Sequence, residues 1–310
     1  MKVISFFSYK GGAGRSTLAY NVIPLLAANH IRPTAESPMI VIDTDVDSCG
    51  MSYLLRAEDK VTDTNCLQYL LHNGIETKKY PSISEHPFLS QLIPVGNAYG
   101  YPVNDAILLL PAMDNKNIDK DSKSNYSDAN NSFYEKLESF INVCDRFFDI
   151  PAIVLDSSVG NTATANISNY AANVVVCCMR PTIQFVNGTR RFFTAVEDGD
   201  KSIGEEKTVI FVPNVIPKYS TTINGVTYPG YAIDKISGNF ESSFGGSDLR
   251  HKYILDMLDR EEFGIPAVDR FMWQEDQLYS IEKDKLMDDE KEALERYKKL
   301  ARIIDEVETD

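Results

Sequence analysis

Short apolar runs alternate along the chain with longer stretches in which apolar residues recur at helical spacing. Val3-Ile4-Ser5-Phe6-Phe7 is rich in β-branched and aromatic residues and gives way to glycines, the pattern of a short buried strand. Over residues 16–29, Leu18, Val22, Leu25 and Leu26 fall at helical spacing, and Pro24 predicts a kink. Met39-Ile40-Val41-Ile42 is a second strand-like run and ends at Asp43. Leu92-Ile93-Pro94-Val95 and Ile107-Leu108-Leu109-Leu110 read as a hairpin, or as one strand plus a loop. A helix is expected over 133–147, followed by the run Ala152-Ile153-Val154-Leu155-Asp156. Val174-Val175-Val176-Cys177-Cys178 and Val209-Ile210-Phe211-Val212 close the series, with a helix expected over 183–198 between them.

Apolar strands alternating with helices predict an α/β fold, a mostly parallel central sheet with helices on both faces. Residues 114–132 are rich in Asn, Asp, Lys and Ser and hold little to bury, so they read as a surface loop. Residues 219–246 are rich in Gly, Ser, Thr and Asn and read as a second loop excursion. Near the end, Leu286, Leu294, Tyr297, Leu300, Ala301, Ile304 and Val307 form one stripe of a long helix over about 280–307. Neither an internal repeat nor a domain boundary is visible, so residues 1–310 are expected to form a single domain.

Composition narrows the classes. At 43% hydrophobic and 25% charged residues the chain is ordinary for a globular protein. Its formal charge of -14 argues against a broad DNA-binding face, and no Lys/Arg run exceeds a pair. Five cysteines, with no C-x-x-C pair, read as reduced thiols of a cytoplasmic protein. The apolar run beginning at Val3 leaves no room for a signal peptide, and no stretch approaches the roughly 20 residues that cross a bilayer. The acidic end, Asp305-Glu306-Val307-Glu308-Thr309-Asp310, would be repelled by anionic lipid, so no membrane attachment is expected. The four histidines are scattered and suggest no metal site.

The chemistry concentrates in Lys10-Gly11-Gly12-Ala13-Gly14-Arg15-Ser16-Thr17. A loop that leaves a strand and opens a helix aims free backbone N–H groups at one place, and the helix dipole adds positive potential there, so phosphate binds. Glycines at 11, 12 and 14 allow a tight turn and close approach to phosphates. Ser16 is placed to ligate Mg²⁺ and Thr17 to lie near an α-phosphate. Against G-x-x-x-x-G-K-[ST], Tyr9 replaces the first glycine and Arg15 the lysine; against K-G-G-x-G-K-[ST], only Arg15 departs.

That second pattern resembles the deviant phosphate-binding loop of the ParA/MinD ATPases, and with Arg15 a K-G-G-x-G-R subgroup of them. The resemblance implies a three-layer P-loop NTPase fold, ATP and Mg²⁺ as cofactors, and an ATP-dependent homodimer in which Lys10 reaches the partner's nucleotide. Ile40-Val41-Ile42-Asp43-Thr44-Asp45 is similar to the family's D-x-D strand, which implies Asp43 close to the metal and Asp45 orienting the attacking water. Ala152–Gly160 resembles the Walker B strand and switch II, with Asp156 at the metal. Arg180-Pro181-Thr182-Ile183-Gln184 with Gly188-Thr189 looks like the next strand-to-helix corner. Phe211-Val212-Pro213-Asn214 is similar to the strand whose Asn reads the adenine edge, and residues 265–269 are a further position for the base.

The implied function is a nucleotide-dependent switch that positions or partitions a cargo, with an unidentified protein partner. Arginine is planar and bulkier than lysine, so Arg15 should support binding better than in-line transfer, and slow hydrolysis is expected. An ATP-bound regulator of a bacterial signalling or defence system, with little turnover, is the alternative. Small-molecule synthetases of this fold need substrate residues that are not visible here, and the cysteines are misplaced for a shared metal cluster.

Overall fold

The computed structural model describes residues 1–112, 130–180, 182–199, 207–216, 221–223, 226–228, 252–254, 264–272 and 274–308. An eight-stranded sheet organises them, built from β1 (Lys2–Ser8), β2 (Met39–Asp43), β3 (Ile93–Pro94), β4 (Ile107–Leu110), β5 (Ala152–Val159), β6 (Val174–Met179), β7 (Thr208–Pro213) and β10 (Lys252–Ile254). The strand order is β10-β7-β6-β1-β5-β2-β4-β3, parallel throughout except for β3. The apolar runs are these strands, and their near-complete burial follows from cover on both faces.

Helix α1 (Arg15–Leu26) follows β1, and α2 (Gly50–Leu54) and α3 (Leu67–Asn73) follow β2. Helices α4 (Asn130–Phe148) and α5 (Ala163–Ala171) flank β5, α6 (Ile183–Gly199) follows β6, and α7 (Asp288–Glu306) lies along α1. Pro24 does not break α1. The helix continues past it and ends in a π-helical turn, Ala27–Ile31, closed by the Arg32 N–H donating to the Ala27 carbonyl at 2.9 Å. The stripe of α7 is buried as its periodicity predicts, and Leu294, Leu300 and Ile304 each contribute roughly 1.5–3 kcal/mol by leaving water. Within it, the buried carboxylate of Glu290 accepts from Arg270 Nε at 2.6 Å and from the Met287 N–H at 2.9 Å.

Some expectations shift. Residues 130–132 begin α4 rather than ending a loop, and 114–129 lie outside the described residues. Within the second excursion, β8 (Thr221–Ile223) and β9 (Val226–Tyr228) pair antiparallel, and the rest of 219–246 lies outside the described residues. β3 and β4 are antiparallel neighbours, the hairpin alternative, but β3 holds only two residues. Between them a Cβ on Gly96 would meet the Val103 carbonyl oxygen at 2.4 Å, so only glycine lets the connection fold back so tightly.

The topology places every motif at one edge. β1, β2, β5, β6 and β7 all end there, and β1 lies between β5 and β6, where the connections diverge to opposite sides. Ligands of open α/β sheets bind at such a carboxyl-end crevice. Between Phe6 and Ser8, β5 carries one residue more than β1, pairing Phe6 with Asp156 and Ser8 with Val159, so the strand bends as it reaches the edge.

Candidate phosphate-binding site

The loop after β1 turns through Gly12 (φ 80°) and Gly14 (φ 76°), left-handed conformations that side chains disfavour. Gly14 is the N-cap of α1 and supplies no side-chain cap, so the first-turn N–H groups of Arg15, Ser16 and Thr17 face the loop's concavity without one. A Cβ on Gly14 would stand 2.8 Å from Asn214 Nδ2. Ala13 is buried beneath the turn, whereas Gly11 and Gly12 are exposed with open space beside them.

Tyr9 packs across Gly188 of α6, where a Cβ would sit 2.2 Å from its ring. Lys10, next along, is exposed and folds back onto the same helix: its Nζ donates to Gln184 Oε1 at 2.9 Å and lies 5.9 Å from the Phe185 ring. Lys10 and the 183–189 corner are thus brought together within one chain. Thr17 is half-buried, and its carbonyl accepts from Asn21 Nδ2.

Arg15 points inward. Its Nε donates to Asp156 Oδ1 at 2.8 Å, and Nη2 donates to Asp45 Oδ2 at 2.7 Å and to Ser16 Oγ at 3.3 Å. The side chain is 6% exposed, and Nη1 is buried with no partner. Ser16 Oγ donates to Asp156 Oδ2 at 2.8 Å. Asp43 and Asp156 are register partners on β2 and β5, which puts a second carboxylate beside the first. Asp43 Oδ2 accepts from the Ser52 N–H and Oγ at 2.8 and 2.7 Å, and Oδ1 from the Asp45 N–H at 3.1 Å. Ser48 Oγ and N–H donate to Asp45 at 2.7 and 3.3 Å.

This wiring sets the protonation. Burial, with Asp156 alongside, pushes Asp43 up to about 7 despite the Ser52 hydrogen bonds. Burial also raises Asp156, against the pull of Arg15 and Ser16. Burial would raise Asp45 too, but the Arg15 guanidinium and Ser48 outweigh it and hold Asp45 below the usual carboxylate range. The two carboxylates, reciprocally, raise Arg15 although burial opposes them.

The expected Mg²⁺ ligands Ser16, Asp43 and Asp156 do lie together, yet they do not fit a divalent ion in this arrangement. Every oxygen of Asp43, Asp45 and Asp156 accepts a protein donor, and a guanidinium already sits among them. Magnesium requires near-octahedral oxygen ligation at about 2.0–2.1 Å and gains nothing from a neighbouring cation. Among the described residues no group of three or more His, Cys, Asp or Glu is arranged to hold a metal.

Asn214, expected at the adenine, is only 5% exposed and spends its amide N–H groups on the loop, donating to the carbonyls of Ala13 (2.9 Å) and Gly14 (3.4 Å). Cys178 Sγ donates to the same Ala13 carbonyl at 3.2 Å. Residues 265–267 run beside it: the Ile265 N–H donates to Pro213 O and the Ala267 N–H to Ile216 O, both at 2.8 Å. Ser48, Ser52 and Cys178 were not foreseen as site residues. Their only sequence signal is proximity to Asp45, Asp43 and the end of β6. The scattered histidines include one core residue, His86, whose Nδ1 accepts from the Phe88 and Leu89 N–H groups.

No family model and no curated protein sequence matches the chain. Solved structures do match it in fold. McdA from Cyanothece, in complex with ATP, superposes with a TM-score of 0.65 at 14% identity, covering 100% of this chain and 98% of that one. The cell division ATPase MinD of Pyrococcus furiosus gives 0.57 at 13% identity, covering 97% and 99%. A plasmid partition protein of Borrelia burgdorferi bound to AMPPNP gives 0.55 at 14% identity, covering 96% and 99%. The chain thus has the P-loop NTPase fold of the MinD and partition ATPases.

Proposed function

We propose that this chain is a ParA/MinD-like ATP-binding protein whose nucleotide controls pairing of two copies, for positioning or partitioning a cellular cargo. The observation that carries the reading is the loop of residues 10–17. It is a left-handed glycine turn at the carboxyl edge of a parallel sheet, leading into a helix N-terminus that lacks a side-chain cap. That geometry suits a phosphate chain. The fold neighbours bound to ATP and AMPPNP support an adenine nucleotide as the occupant. Gly11, Gly12, Ala13, Gly14, Ser16 and Thr17 would line the phosphates, with Asn214 holding the loop from behind. Lys10, exposed on α6, is free to exchange Gln184 for a phosphate of the partner's nucleotide. The partner beyond the second copy is a protein, and the site of action is the cytoplasm.

Turnover would be slow. Asp45, the residue suited to orient a water, is held by Arg15 and Ser48, so its carboxylate is not available as it stands. The same contact favours a second reading, an ATP-loaded regulator that persists without hydrolysis. Mass in solution tests the switch. With ATP the chain is expected at twice its monomer mass, and a monomer with and without nucleotide would refute it. Decay of that dimer with time, or its persistence until nucleotide is removed, separates the two readings.

A further inference from the structure

The guanidinium of Arg15 stands where a divalent cation would be needed. It bridges Asp45 and Asp156 and touches the Ser16 hydroxyl, so it engages two of the three expected metal ligands, Ser16 and Asp156. All three carboxylates are already satisfied by protein donors, so no ligand is waiting for an ion. One donor group is left over. Arg15 Nη1 is buried and unpartnered, and a buried donor of a cation calls for an acceptor, best an anionic oxygen. It belongs to the first residue of α1, the turn on which a phosphate would rest.

We infer that the site binds its nucleotide without a divalent cation, Arg15 serving as a resident cation between the Asp45–Asp156 pair and a phosphate oxygen on Nη1. This rests on the nucleotide-binding reading above. Arginine suits the task and lysine does not, because a planar fork can hold two carboxylates and still present a further donor, whereas an ammonium is a single point of charge.

Calorimetric titration of ATP into the full chain, with Mg²⁺ and then with EDTA, tests it. For the wild type, the Kd should differ less than about threefold between the two conditions, and for Arg15→Lys it should weaken by about tenfold or more in EDTA. The spectrum of added Mn²⁺ should show no ion immobilised on the ATP-loaded wild type. Binding that is tight with Mg²⁺ and lost in EDTA by the wild type would overturn the resident cation and leave the nucleotide reading standing. No ATP binding in either condition would overturn both. Arg15→Lys that binds ATP in EDTA as tightly as the wild type would overturn the role given to the guanidinium fork; if that variant fails to fold, the wild-type pair of titrations and the Mn²⁺ spectrum decide the inference.

Discussion

Replacing Arg15 by Met measures how much the fold depends on that buried cation. The substitution keeps most of the aliphatic length and deletes the guanidinium, which is 6% exposed and makes three polar contacts. Asp45 retains both Ser48 donors, so most of the cost falls on Asp156, which is fully buried, keeps only Ser16 and faces Asp43 across the strand pair. Removing one member of a buried ion pair costs about 3–5 kcal/mol, because the remaining charge is left without compensation. At about 2.1 cal/mol/K per residue, 310 residues give an unfolding entropy near 0.65 kcal/mol/K, so the melting temperature should fall by about 5–8 °C. The loss should shrink as pH falls and Asp156 takes up a proton, its affinity for one already raised by burial. Scanning calorimetry at pH 8 and pH 5 reads both effects. A variant that melts within about 1 °C of wild type at pH 8 would mean that the guanidinium is not held in the acid cluster, and the resident-cation inference would lose its ground.

Three other perturbations probe different links. Asp43→Asn should remove a pH dependence: its folded value of about 7 stands above the ordinary 3.8, so between those values the folded chain holds the extra proton. Wild-type stability should therefore fall as pH rises through that window and level off above it, and denaturant titrations of Asp43→Asn should lack this component of the slope. Asn214→Ala should cost about 1–2 kcal/mol and speed hydrogen exchange in the loop, because the Ala13 and Gly14 carbonyls lose their amide donor; unchanged exchange would mean the loop holds itself. Gly188→Ala should cost about 1–3 kcal/mol by collision with the Tyr9 ring, and Tyr9→Ala should restore most of it; additive costs in the double variant would rule out that contact as the cause.

How much of this was legible in the sequence depends on the range of the interaction. β1, β2, β5, β6 and β7 are continuous apolar runs because both faces are buried, and such runs can be read locally. At the edges the signal is uneven: β3 lies in the apolar run Leu92-Ile93-Pro94-Val95, whereas β10 has no such run. β10 is three residues, Lys252–Ile254, and nothing short of its neighbour β7 marks it. β8 and β9 lie in a stretch whose overall composition suggests a loop, yet Asn224-Gly225 between two alternating triplets is a strong hairpin signal that bulk composition obscured. The loop of residues 10–17 was legible as a motif, since glycine spacing, strand and helix are contiguous. The direction of Arg15 was not. Its partners lie 30 and 141 positions away, and the choice between phosphate oxygens and carboxylates depends on how β2 and β5 bring Asp45 and Asp156 under the helix.

That choice joins the departure at residue 15 to what the site can do. A lysine tip would leave Asp45 and Asp156 to be balanced by something else, and a divalent ion is the usual candidate. An arginine balances both at once, and in doing so it takes hold of Asp45, the carboxylate to which the proposed function gives the task of orienting a water. Binding and turnover are therefore set against each other by one side chain: the more firmly the guanidinium serves as the cation, the less free Asp45 is for chemistry. On the proposed reading, a site built this way would hold a nucleotide as a structural element first and consume it slowly, when the pair with Asp45 opens. Loosening that pair without removing the charge, as Arg15→Lys does, should raise turnover and the requirement for Mg²⁺ together. A rise in one without the other would show that the two are not linked through Arg15.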